Sequence, residues 1–153
     1  MKRIAALALL VGLLLGPQMP ASPAIYLTSL PDPSTLIVIP AMVGDRPIRL
    51  TVDTGATLSA LRANVWRALG SPGRLVHTYD RVPTASGALT NVPLYEVDMS
   101  LGSCDLERVL FLVVAMPGKG GDGAVSGLMG LELMARLGAH VDAAARAITT
   151  DCG

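Results

Sequence analysis

Beyond residue 34 the apolar positions come in short runs split by glycine- and proline-rich turns, a pattern that predicts strands more than helices. Thr35–Ile39 is strongly β-forming, Val43-Gly44-Asp45-Arg46-Pro47 carries turn chemistry, and Ile48–Val52 returns as a second strand. Ser59–Leu69 places apolar residues at 61, 65, 66 and 69, which is helical spacing, and Gly70 is a suitable stop. Leu75–Val82 reads as a strand with polar alternation. Pro93–Leu101 alternates too, with Leu94, Glu96 and Asp98 on one phase and Tyr95, Val97 and Met99 on the other. Gly102–Asp105 turns the chain. Val109–Ala115 is a continuous apolar run of the kind buried on both faces. Leu131–Leu137 predicts a helix ending before Gly138, and His140–Asp142 with Arg146–Thr149 predicts a closing hairpin.

The first two dozen residues follow a different rhythm. Met1-Lys2-Arg3 is a basic head, Ile4–Gly16 is unbroken and apolar, and Pro17 and Pro20 precede small residues at Ala21, Ser22 and Ala24. That is the layout of a secretory signal peptide over 1–24, and it predicts an exported chain, periplasmic or secreted. The apolar run is short of the ~20 residues that span a bilayer. Left uncleaved, it would instead anchor the chain to a membrane. Residues 25–34 read as an extended leader, 35–150 as one domain, and 151–153 as a tail.

Composition narrows the functional classes. Aromatics are 3% of the 153 residues, so Val, Leu, Ile, Met and Ala must fill the core, and 16 Gly with 11 Pro suit a turn-rich β protein. Formal net charge is zero with no Lys/Arg run, which argues against a nucleic-acid partner. His77 and His140 lie far apart with no Cys/His cluster, so no metal site is expected. Cys104 and Cys152 are the only cysteines. In an oxidising compartment they can form one disulfide, remain two thiols, or let Cys152 pair between chains. Gly118–Gly121 lacks the Lys-Ser/Thr ending of a phosphate loop and reads as surface.

One stretch carries chemistry. Leu50-Thr51-Val52 runs as a buried strand into Asp53-Thr54-Gly55-Ala56-Thr57, so a carboxylate sits where the strand must turn, and Gly55 can take backbone angles other residues avoid. Asp-Thr-Gly could be a plain turn in which Asp bonds its own backbone two residues on. Downstream, Pro83–Val92 is a small-residue stretch around Gly87, suited to a hairpin tip, and Leu128-Met129-Gly130 follows the long buried strand.

Asp53-Thr54-Gly55-Ala56 after an apolar hairpin, then Leu128-Met129-Gly130 and a helix, resembles the retropepsin-like aspartic proteases, chiefly their exported bacterial members, over roughly residues 35–150. The resemblance implies a mostly β, single-lobed, closed-barrel acid-protease fold with one or two short helices. It implies an aspartic endopeptidase without cofactors that acts on peptides or proteins. Asp53, Thr54 and Gly55 would be catalytic, with Ala85, Ser86, Gly87 and Ala88 in a flap over the substrate. Leu128, Met129 and Gly130 would support the catalytic loop. The chemistry needs two carboxylates and the chain has one such motif, so a homodimer is expected, with Thr54 bonding across the two-fold axis and Gly55 letting the backbones approach. A peptide- or protein-binding module on the same fold is the alternative. Two features depart from the family pattern: Leu-Met-Gly stands where Ile-Leu-Gly or Leu-Leu-Gly is commoner, and Thr150–Gly153 leaves little for the interdigitated terminal sheet of viral dimers.

Overall fold

The structure, a computed structural model, describes residues 25–30, 36–116 and 124–151. The N-terminal apolar segment, residues 117–123 and Cys152 lie outside that set. Strand β1 (Ile25–Thr28) is followed by β2 (Val38–Val43) and β3 (Arg46–Val52), which form an antiparallel hairpin turning at Gly44, where φ is +58°. Next come β4 (Ser59–Arg62) and helix α1 (Ala63–Ala68), then the long strands β5 (Arg74–Thr84), β6 (Gly87–Leu101) and β7 (Cys104–Val114). The chain closes with β8 (Gly127–Met129), helix α2 (Leu131–Arg136), β9 (His140–Asp142) and β10 (Ala147–Thr150).

The strand order β2-β3-β8-β4-β7-β6 closes on itself through Met42 opposite Ser100, making a six-stranded barrel, and β5 extends the sheet beyond β6. Closure pairs off the edges of the six barrel strands, and among the described residues β5 alone keeps an open edge in this sheet. A separate three-stranded sheet has the order β1-β10-β9. The fold is mostly β, with two short helices, as expected.

Ile39, Ile48, Leu50, Leu61, Phe111, Met129 and Leu133 fill the barrel and the layer under the helices, each wholly out of solvent or within 1% of it. Each such side chain contributes about 1.5–3 kcal/mol by leaving water. Trp66 is buried as a core plug and stacks at a tilt on Tyr95, with ring centroids 4.6 Å apart. A second apolar cluster gathers Ala60, Val92, Leu94, Leu112 and Val114, with Leu58, Val82, Leu89 and Leu128 packed against it.

Two local expectations are corrected. The helix expected over 59–69 begins only at Ala63, because Ser59–Arg62 is taken as a strand between β7 and β8. Tertiary pairing there outweighs a helical apolar spacing. The helix that remains turns Val65, Trp66 and Leu69 to the core and stops at Gly70, φ +84°. Ile25–Thr28, read as part of a leader, is a strand paired with β10. Among the described residues no helix is long and apolar enough to cross a membrane.

Candidate active site

Strand β3 leaves the barrel at Val52, and Asp53 is the first residue of the turn. Its backbone is fixed from below, since the Asp53 amide donates to the carbonyl of Met129 at 3.0 Å. Its side chain is fixed from ahead: the Gly55 amide donates to Asp53 Oδ1 at 2.9 Å. This is the ordinary Asx-type turn, so that reading of the sequence holds locally. It does not compete with a catalytic one, because it sets the rotation of the carboxyl of half-buried Asp53, ahead of exposed Thr54 and Gly55. What Gly55 supplies here is room beside the carboxyl and not an unusual backbone angle. Its φ is not positive, and a Cβ there would lie 3.2 Å from Asp53 Oδ1.

Leu128, Met129 and Gly130 divide the work beneath this loop. Met129 is fully buried in the barrel core, while Leu128 faces the second cluster beside Leu58. Gly130 presses on the loop itself, where a Cβ would come 2.6 Å from both the carbonyl carbon and the oxygen of Leu58. Helix α2 starts here without a side-chain cap. Its first amides are satisfied by the loop instead: Leu131 donates to the Ala56 carbonyl at 2.8 Å and Glu132 to that of Thr57 at 3.0 Å. The amides that a helix start leaves over thus become the clamps of the Asp53 loop.

Ser59 completes the clamp. Its hydroxyl, fully buried, accepts the Gly130 amide at 3.0 Å. Nothing in the sequence around Ser59 points to that role. Gly127 was missed as well, although a Cβ there would meet the Ala60 carbonyl oxygen at 2.1 Å, the mark of two strands in close contact. The sequence held a faint signal for it, Gly127 being one residue from the Leu-Met-Gly run.

Ala85, Ser86, Gly87 and Ala88 form the tip of the β5–β6 hairpin, and all four are exposed. Thr84 Oγ1 donates to the Gly87 carbonyl at 3.1 Å and closes the tip. Lower on the same hairpin, Val82 and Leu89 join Leu58 and Leu128 in the second cluster, giving an apolar lining between the hairpin and the Asp53 loop. A surface cleft of about 590 Å³ lies elsewhere, among Asp45, Arg46, Arg74, Glu96 and Arg108, and includes no residue of the Asp53 loop. Its Arg74 and Glu96 pair with each other at 2.7 Å. Among the described residues no group of three His, Cys, Asp or Glu could hold a metal ion. Cys104 is buried, is not a free thiol, and lies 3.6 Å from Thr150 Oγ1.

This barrel, with its strand-borne Asp-Thr-Gly loop and Gly130 clamp, defines an acid-protease fold. A family profile described as aspartyl protease matches residues 39–133, well over half of the chain, and the chain belongs to that family. Two solved structures share the fold. The protease of EIAV complexed with the inhibitor HBY-793 is 19% identical, covers 69% of this chain and 90% of its own, and superposes with a TM-score of 0.56. A retropepsin-like aspartic protease from Rickettsia conorii is 20% identical, covers 84% and 90%, and gives 0.55. None of the curated proteins searched matches this sequence.

Proposed function

We propose that this chain is an exported aspartic endopeptidase whose active site is assembled from two copies, each supplying Asp53. The observation that carries the reading is how Asp53 is seated: its backbone amide donates to the Met129 carbonyl, its Oδ1 accepts the Gly55 amide, and the residue stays half-buried beside exposed Thr54 and Gly55. No other described acid sits at the end of a strand before Thr-Gly or Ser-Gly. One chain therefore brings half of the acid–base chemistry.

Two carboxylates brought within about 3 Å cannot both carry a charge, so the pair holds one proton between them. The ionised member takes a proton from water, and that water attacks the peptide carbonyl carbon. The protonated member donates to the carbonyl oxygen, and the resulting diol collapses with a proton passed to the leaving amine. No covalent enzyme intermediate forms. The substrate lies extended between the loops and the β5–β6 hairpin, whose tip at 85–88 closes over it and excludes water. Leu58, Val82, Leu89 and Leu128 favour apolar side chains beside the cleaved bond. Removal of residues 1–24 would release the enzyme outside the cytoplasm, and N-terminal sequencing of the mature protein tests that step.

The test of the activity is Asp53→Asn in the mature chain. Cleavage of a peptide library and pepstatin sensitivity should vanish, while circular dichroism and melting temperature stay unchanged. If the unmodified dimer cleaves nothing and ignores pepstatin, the reading is wrong and a binding module takes its place.

A further inference from the structure

Within one chain the central strand of the small sheet is already paired on both edges. Strand β10 has β1 on one edge, with Ile25 opposite Thr150 through Thr28 opposite Ala147, and β9 on the other, with Ala147 opposite Asp142 through Thr149 opposite His140. A strand hydrogen-bonded on both edges has none left to offer a second molecule. The segment leaving β1 is fastened as well. Ser29 N donates to the Arg146 carbonyl at 2.7 Å, Leu30 N to the Val38 carbonyl at 2.8 Å, and Val38 N to Ser29 Oγ at 2.9 Å.

Two large apolar residues flank the catalytic loop and remain close to half exposed, Leu36 at 47% and Leu131 at 48%. Backbone bonds hold both beside it. Val52 N donates to the carbonyl of Ile37, next to Leu36, and Leu131 N to that of Ala56. A second copy that brings its own Asp53 to within about 3 Å of this one across a two-fold axis must cover this face with the same face of its own.

We propose that the dimer is built face to face without exchange of strands: two copies meet on the Asp53 loops, Leu36 and Leu131 are buried between them, and each copy keeps β1 on its own β10. This rests on the two-copy reading of the site and adds how the second copy docks.

Tyr26 and Thr149 oppose each other in the β1–β10 register, so the mature chain carrying Tyr26→Cys and Thr149→Cys reports where β1 goes. Labelled (15N) and unlabelled chains are unfolded, refolded together and oxidised, and the 26–149 cross-linked peptide is read by mass spectrometry. The expected link joins peptides of one label only, in a protein that sediments as a dimer. Links of mixed label, or no link at all, overturn the proposal. Separately, Leu36→Glu with Leu131→Glu should weaken the dimer at least ~30-fold in sedimentation equilibrium with the melting temperature of the monomer preserved. Unchanged dimerisation of that variant overturns the docking face. A dimer that passes both tests but cleaves no peptide sinks the protease reading alone, whereas an active dimer with exchanged strands sinks this one alone.

Discussion

The amide of Gly130 donates to the buried hydroxyl of Ser59 across 3.0 Å, joining two residues 71 positions apart directly beneath the Asp53 loop. Ser59→Ala leaves that amide enclosed with no partner, at a cost of about 1–3 kcal/mol. A thermal melt should fall by several degrees. Steady-state kinetics should show kcat reduced more than KM is raised, because the loop that carries the carboxyl loosens while the apolar lining stays.

Gly130→Ala tests crowding without an unusual backbone angle. The new methyl would meet the Leu58 carbonyl group at 2.6 Å and the Ala56 oxygen at 3.0 Å, and backbone atoms cannot swing aside. The loop must shift, and displacement of a reacting group by about 1 Å costs on the order of 100-fold in rate. Gly44→Ala is the contrast: its φ is +58° with nothing within 4 Å. It should cost about 1 kcal/mol in stability and leave the specific activity per folded protein unchanged.

At the hairpin tip Gly87 has φ +139° and open space around it. Gly87→Ala therefore strains the turn without a clash, by roughly 1–3 kcal/mol confined to the tip. Because residues 85–88 are exposed, the global melting temperature should barely move. A fall in kcat/KM measured beside that melt would mark the tip as part of the substrate machinery, and unchanged kinetics would remove residues 85–88 from the site.

Peptide mapping without reductant should recover Cys104 joined to Cys152, with no thiol titrating in the unfolded protein. Reduction or Cys104→Ser should then cost about 2–4 kcal/mol, read as a lower denaturation midpoint. Two titrating thiols would refute the bond.

The sequence made the barrel's main course readable because its strands are bounded by turn residues, and Asp53-Thr54-Gly55 ends an apolar run that has little choice but to be a strand. What it hid depends on distant partners. Apolar residues at 61, 65, 66 and 69 fit a helix as well as they fit β4 followed by α1, and only pairing with β7 and β8 decides between them. Ser59 resembles any other serine until Gly130 arrives beside it. Gly55 suggested a turn angle, whereas the fold asks it for empty space next to Asp53 Oδ1. Ile25–Thr28 has few cues of its own, and β10 makes it a strand.

Strand β3 lies parallel to β8, with Leu50 opposite Gly127 and Val52 opposite Met129, so the last support under the carboxyl comes from far along the chain. Pairing segments so distant in sequence carries a loop-closure cost that local contacts do not. A ribosome-bound chain that has not yet emerged past residue 130 has its acid but nowhere to hold it. The Asp53 loop is thus completed by residues that are made much later than the acid it carries.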